Sequence, residues 1–226
     1  MPVDACPPAQ SLRVVNRSPL QVAGGVDAPG YGSSLATTPL GAASLQHWCI
    51  WVEPPGSPSP DRWEQRWSRS VNAALDRWSE VLPVHRVAFP ERAQVLLYRR
   101  KPPLRPVAQG WRASNGRSRL QVIEVRRQQV WRFEPQVEVL VSPHLRAPVL
   151  QATALHELGH AFGLWGHSSD PVDVMAVHQG QQPVLQLSDR DRQTLRWVRD
   201  QPNGYGPAVL QHSPRPGKLP AAASGS

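Results

Sequence analysis

The stretch ALHELGHAFGLWGHSSDPVDVM occupies residues 154–175 and is the most informative part of the chain. It contains His156 and His160, four residues apart, within a segment that we predict to be helical over about 148–162. A helix turns by about 100° per residue, so the two imidazoles project from nearly the same side, one turn apart. Both can then bind one zinc ion, and Glu157 lies beside that ion, where it can accept a proton from a water molecule.

The segment that follows this helix offers a third metal ligand. Gly163 can end the helix in a left-handed conformation, and the chain can then turn back and bring His167 to the same ion. Three neutral imidazoles would leave the fourth position of a catalytic zinc ion open for water. His178, Asp170 and Asp173 are nearby in the sequence and are alternatives for this ligand.

The same stretch resembles the signature of the metzincin zinc proteases, and most closely that of their matrixin branch. Matrixins carry HExGHxxGLxHS, then a serine-aspartate-proline stretch and a methionine. The matching residues are His156, Glu157, Gly159, His160, Gly163, Leu164, His167, Ser168, Pro171 and Met175. The resemblance implies a zinc-dependent endopeptidase in which Met175 forms the turn that floors the zinc site without binding the metal.

The sequence departs from the matrixin pattern at one place. Trp165-Gly166 supplies one residue more than the family has between the glycine and the third histidine. Because Gly166 has the backbone freedom that a bulge needs, we predict that this pair bulges and that His167 still reaches the metal. The indole of Trp165 would then pack beside the site.

The remaining pattern predicts an α/β fold. The resemblance implies that this fold is a metzincin-like zincin, in which a twisted mixed sheet carries an active-site helix and a C-terminal helix. Alternating apolar residues predict strands at 45–52, 84–89, 94–99, 119–126, 130–133 and 137–141. The segment 100–118 between them is expected to be a basic loop. By the resemblance, strand 119–126 corresponds to the edge strand that aligns the substrate.

Two more helices are predicted from spacing and from their caps. Apolar residues recur every three or four positions at Trp63, Trp67, Val71, Ala74, Trp78 and Val81. Asp61 can cap the start of this helix, and Pro83 can end it. Ser188 can cap a final helix, with Asp191 at the capping-box position.

The chain is basic, with a formal net charge of +8, and many of its arginines fall between 99 and 127. Such a surface would attract phosphates, acidic lipids or acidic protein substrates. No nucleic-acid-binding motif is visible in this stretch. Two alternative functions remain open. HExxH alone also permits another zinc hydrolase, such as an aminopeptidase, and the basic region permits a protein that binds nucleic acid or an acidic surface.

Composition predicts an N-terminal extension at 1–44, partly disordered, a catalytic domain at 45–202 and a flexible tail at 203–226. Cys6 and Cys49 leave a disulfide possible without requiring it, and Cys6 has no convincing match to the inhibitory propeptide cysteine of matrixins. We expect a monomer without a membrane span that acts on a peptide or protein substrate. The resemblance implies an extracellular or cell-envelope location; since no signal peptide is visible, the cytoplasm is the alternative.

Overall fold

The computed structural model describes residues 5–16, 21–22, 28–107, 110–178 and 182–206. Numbered along the chain, the strands are β1 (Ser11–Asn16), β2 (Gln21–Val22), β3 (Ala36–Thr37), β4 (Trp48–Val52), β5 (Val84–Arg86), β6 (Val95–Tyr98), β7 (Arg105–Val107), β8 (Gly110–Arg112), β9 (Gly116–Arg127) and β10 (Val130–Val141). The helices are α1 (Arg62–Ser79), α2 (Ala147–Ala161) and α3 (Asp189–Asp200).

Within the described residues, one six-stranded sheet has the strand order β1-β9-β10-β6-β4-β5. Strands β5, β4, β6 and β10 are parallel to one another, whereas β9 is antiparallel to both of its neighbours. Two short antiparallel pairs, β2 with β3 and β7 with β8, lie outside this sheet. The α/β class and the mixed sheet are confirmed.

Helix α1 packs against α2 through the predicted apolar face. Its side chains at Trp67, Val71 and Trp78 are fully buried, and the indole of Trp78 donates a hydrogen bond to the Leu155 carbonyl of α2 at 2.9 Å. The prediction was wrong for Trp63, which is 39% exposed. Trp63 lies in the first turn, and its ring packs against the guanidinium groups of Arg62 and Arg66 and not against the core.

The capping predictions for α1 and α3 are confirmed. Asp61 accepts hydrogen bonds from the backbone N–H groups of Trp63 and Glu64, and α1 ends at Ser79, before Pro83. Ser188 and Asp191 form the reciprocal capping box of α3. Both helices therefore begin where their polar caps satisfy the first free backbone donors.

The strands differ from the predictions in the basic region and beyond it. The expected loop 100–118 contains the β7–β8 pair and the start of β9. The two strands expected at 130–133 and 137–141 form one strand, β10, which continues through Pro135. Pro135 is tolerated because its nitrogen faces away from β9, and pairing with β6 begins only at Val137.

Much of the predicted N-terminal extension belongs to the packed structure, which corrects the boundary at residue 44. Strand β1 joins the sheet, and Tyr31, Leu35 and Ala43 are buried in the core. These apolar residues follow neither a helical nor a strand period, so the sequence did not reveal them. Residues 1–4, 17–20 and 23–27 lie outside the described part of the chain.

The predicted C-terminal tail also begins later than expected. Tyr205 is 9% exposed and its hydroxyl is hydrogen-bonded to that of Thr38, while the Gly206 N–H donates to the Phe133 carbonyl at 2.9 Å. These contacts attach 203–206 to the body of the protein. Residues 207–226, the rest of the predicted tail, lie outside the described residues.

Cys6 and Cys49 form a disulfide, which the sequence had left open. The bond ties the N-terminal segment to β4. A cysteine held in this way is not available as a metal ligand, so the inhibitory-cysteine arrangement of matrixins does not apply to Cys6. No helix in the described part of the chain is long and apolar enough to cross a membrane.

Candidate metal centre

Three histidines converge at the C-terminal end of α2. His156, His160 and His167 each offer a ring nitrogen, and these nitrogens all lie within 4.8 Å of one another. The ring centroids are 4.9–5.2 Å apart. His178, the main alternative for the third ligand, is exposed and does not belong to this group.

The turn after α2 brings His167 back to the other two histidines. Gly163 has φ +112°, a left-handed conformation that side chains with a Cβ rarely adopt. The N–H of Leu164 donates to the carbonyl of Gly159 at 3.0 Å, which closes the end of the helix. The predicted role of Gly163 as the residue that ends the helix is confirmed.

The extra residue of this turn is accommodated by contact with the N-terminal segment. A Cβ at Gly166 would lie 2.2 Å from the Ser34 carbonyl oxygen, so only glycine fits there. The Ala36 N–H donates to the Trp165 carbonyl at 2.8 Å. The Trp165 indole stacks on the His160 ring at 5.5 Å between centroids, which confirms that it packs beside the site.

Backbone carbonyls hold two of the three imidazoles in one tautomer. His156 Nδ1 lies 2.8 Å from the carbonyl oxygen of Val174, and His160 Nδ1 lies 2.7 Å from that of Leu164. Because a carbonyl oxygen only accepts, each Nδ1 carries the proton and each Nε2 keeps its lone pair for a metal. This orientation is common among metal-binding histidines.

Burial favours the neutral form of these rings. It lowers the pKa of His156 to about 4 and that of His160 to about 3, and it also lowers the pKa of His167, because the imidazolium form loses its hydration. Neutral imidazole is the form that binds a metal ion. Nitrogen donors, spacing, tautomer and protonation thus all fit one zinc ion.

Glu157 is held against β9. Its carboxylate Oε2 accepts a hydrogen bond from the Ser118 hydroxyl at 2.7 Å, and a Cβ at Gly116 would lie 2.6 Å from Glu157 Cγ. Burial raises the pKa of Glu157 to about 7, against the opposing effects of the Ser118 hydrogen bond and the charges of Arg117 and Arg105. A carboxyl group with such a pKa can exchange a proton near neutral pH.

Met175 is packed against α2, the helix that carries His156 and His160. It is fully buried, and a Cβ at Gly159 would lie 2.3 Å from its sulfur, so the thioether packs directly under α2. The Met175 carbonyl accepts a hydrogen bond from the Ser168 N–H at 2.8 Å. Met175 is thus held against α2 by its side chain and tied to the loop by its backbone.

The acidic alternatives for the third ligand have other partners. Asp173 is fully buried and accepts hydrogen bonds from Ser168, Ser188 and Arg190. Asp170 accepts one from the N–H of Val172 at 3.1 Å. Both carboxylates stabilise the loop and lie outside the histidine group.

Sequence reasoning missed a chain of hydrogen bonds from the N-terminal segment to His156. The Tyr31 hydroxyl donates to Asp191 at 2.7 Å, and the other carboxylate oxygen of Asp191 accepts from the Val174 N–H at 2.9 Å. Val174 in turn binds His156 through its carbonyl. Asp191 was predicted only as a helix cap, and nothing in the spacing of Tyr31 or Ser118 marks their contacts.

A cleft of about 770 Å³ opens over the histidines. Gly116, Arg117 and Ser118 of β9 line this cleft, as does Trp165. Glu157 also lines it. The cleft therefore joins the candidate metal ligands, a buried carboxyl group and a stretch of strand backbone.

Comparison of the chain with models of known protein families and with curated proteins found no match.

Proposed function

We propose that this chain is a zinc-dependent endopeptidase of the matrixin-like metzincin type. The observation that carries the proposal is the convergence of His156, His160 and His167 beside Glu157 on the floor of one open cleft. Three neutral histidines with a neighbouring carboxylate are the composition of catalytic zinc sites in hydrolases. A structural site would require a fourth protein ligand.

His156, His160 and His167 would hold a zinc ion, which would supply Lewis-acid chemistry: polarisation of a carbonyl oxygen and a water molecule with a pKa lowered towards 7. Glu157 accepts the proton of the attacking water and later delivers it to the nitrogen of the leaving amine. Ser118 orients the Glu157 carboxylate for both transfers by donating to Oε2. Trp165 covers the His160 ring with apolar surface, which helps to keep that ring in one orientation.

The substrate is an extended peptide that adds a strand to β9. The edge strand was predicted at 119–126, but β1 pairs with β9 from Val122 to Arg126. Among the described residues, the part of β9 that remains free to pair with a substrate is 116–121. That free half ends beside Glu157. Main-chain hydrogen bonds to an exposed edge bind a peptide with little dependence on its side chains.

The aminopeptidase alternative requires an acidic group that holds the free α-amino group of the substrate. Among the described residues that line the cleft, Glu157 is the one carboxylate, and it has the role of base. The lining instead includes Arg105 and Arg117, which would repel an ammonium group. The cleft therefore favours cleavage within a chain.

The nucleic-acid alternative rests on the basic segment 99–127. In the structure, some arginines of this segment are paired with carboxylates and others line the cleft. Arg99 pairs with Glu64 at 2.5 Å, and Arg127 is 2% exposed and pairs with Glu134. These pairs remove part of the positive surface that a phosphate backbone would need. The preference for acidic substrates stays a prediction and now concerns the two cleft arginines.

The test is cleavage of an internally quenched peptide that is acetylated at its N-terminus and amidated at its C-terminus. We expect cleavage at an internal bond, loss of cleavage on chelation and recovery on addition of zinc. An aminopeptidase would leave the blocked peptide intact and would cleave the same peptide with a free N-terminus. Binding of nucleic acid without zinc-dependent cleavage would support the third function instead.

A further inference from the structure

Strand β1 occupies the outer half of the edge that a substrate would use. It pairs antiparallel with β9 from Ser11 opposite Arg126 to Asn16 opposite Val122. The chain thus runs along the edge towards the cleft, and its last described pair is Asn16 with Val122. A matrixin-like site with a fully open edge strand would lack this restriction.

The direction of the backbone groups on β9 shows which N–H and C=O groups can form hydrogen bonds with a substrate. The Ser142 N–H donates to the Asn115 carbonyl, so Asn115 and every second residue after it face β10. The N–H and C=O groups of 116, 118 and 120 consequently face away from β10, towards the free edge. The same alternation directs Val122 and Glu124 towards β1, and the Gln10 N–H does donate to the carbonyl of Arg126 in this series.

We propose that β1 limits substrate pairing to about three residues on the N-terminal side of the scissile bond. This inference rests on the proposed function. Because Glu157 is hydrogen-bonded to Ser118, the reacting carbonyl lies alongside 116–118. A peptide antiparallel to β9 then extends its N-terminal part towards residue 121 and meets Asn16 at the next position.

The limit defines a class of substrate. A longer peptide must leave the edge after about three paired residues, because both chains need the same row of backbone groups. Peptide bonds close to a free N-terminus, or in short loops that bend away from the cleft, satisfy this condition. Long extended segments gain nothing from the residues beyond it.

Strand β1 can be released with little damage to the core. Its residues Ser11 to Val15 are all exposed, and its side-chain link to β9 is an ion pair between Arg13 and Glu124. The backbone of Ser11 and Arg13 faces β9, whereas that of Leu12 and Val14 faces solvent. Proline at the first pair of positions removes donors to β9, and proline at the second pair removes none.

The experiment is a ladder of acetylated peptides with one scissile sequence and one to six residues before it. We expect kcat/KM of the intact protein to rise up to the third residue, by roughly two- to tenfold at each position that adds a hydrogen bond to β9, and then to stay level. In the double variant Ser11→Pro/Arg13→Pro the rise should continue through the fifth residue. The control Leu12→Pro/Val14→Pro should keep the plateau of the intact protein.

Amide exchange at Val122 and Glu124 reports whether β1 has left the edge, and it should be faster in the first double variant. A value of kcat/KM for the intact protein that keeps rising through the sixth peptide residue overturns the limit. If the plateau persists after β1 is released, another part of the cleft causes the plateau, and this result also overturns the proposal. Absence of zinc-dependent cleavage of any peptide counts against the proposed function and is distinguishable from both results.

Discussion

The loop 163–176 and the N-terminal segment 28–44 meet at the candidate metal centre and contribute to it in different ways. The loop contributes chemistry, because it supplies His167. The segment contributes position: Ala36 binds the loop backbone, and Tyr31 begins the hydrogen-bond chain that ends at His156. Changes in the loop should therefore remove the reaction, whereas changes in the segment should weaken it.

The largest effect should follow removal of the third ligand. We expect His167→Ala to lose bound zinc and to lose cleavage of the blocked peptide below detection, because two histidines alone hold zinc weakly. His178→Ala is the matched control, since this histidine lies outside the group. Metal analysis after dialysis against a weak chelator measures the difference. Zinc retained by the first variant and lost by the second would assign the ligand to His178.

Glu157→Gln should separate metal binding from proton transfer. The amide keeps the shape of the side chain and its contact with Ser118, but it cannot accept the proton. We expect zinc content to be unchanged and kcat to fall by roughly 10²- to 10⁴-fold. Turnover at the level of the unmodified protein would show that Glu157 is not the base.

The same substitution has a pH-dependent effect on the metal-free protein. Burial raises the pKa of Glu157 from 4.5 to about 7, so the folded state retains a proton that the unfolded state releases between these values. The stability that this proton contributes is complete below pH 4.5 and is lost as pH rises through 7. Glutamine does not titrate, so the variant should gain about 2 kcal/mol relative to the unmodified protein between pH 5 and pH 8.

Urea unfolding in the presence of a chelator measures this difference at both pH values. The buried histidines are present in both proteins, and their own titration cancels in the comparison. A constant difference between pH 5 and pH 8 would mean that Glu157 titrates in the folded state as it does in water.

A smaller effect is expected in the N-terminal segment. Tyr31→Phe keeps the ring and removes the hydrogen bond to Asp191. We expect a loss of roughly 1–2 kcal/mol in the free energy of unfolding. Zinc affinity should weaken by less than the roughly 10- to 100-fold typical of groups that contact a ligand directly, because Tyr31 acts through Asp191 and Val174.

Tyr205→Phe is the control for this experiment. Its hydroxyl is also buried against a partner, Thr38, but it lies outside the hydrogen-bond chain to His156. It should lower stability to a similar extent and leave zinc affinity unchanged. Equal zinc affinities in the two variants would show that the Tyr31 hydroxyl contributes to stability but not to zinc binding.

The sequence predicted the loop well because the loop acts through side chains at fixed spacing. One helical turn between His156 and His160, and a glycine that ends the helix, are properties that residue types reveal directly. The segment 28–44 acts through backbone groups and scattered buried residues, which have no period. Gly166 shows the limit: its need to be glycine comes from Ser34, more than a hundred residues away in the chain.

The sheet shows the same contrast. The alternating residues of β10 and the capped helices were predicted from local pattern, and the α/β class followed from them. The pairing of β1 with β9 joins residues far apart in sequence, and the side chains of Ser11 to Val15 are exposed and so do not mark a core-facing strand. Such pairing is decided by backbone groups that every sequence possesses.

If one zinc ion at the three histidines is responsible for peptide cleavage, a titration of the metal-free protein with zinc should show it. Metal-free protein receives increasing amounts of zinc while bound zinc and the cleavage rate of the blocked peptide are measured in the same samples. We expect the cleavage rate to rise in proportion to bound zinc and to stop rising at one ion per chain. Cleavage that proceeds without zinc, or zinc that binds at the histidines without producing cleavage, would contradict it.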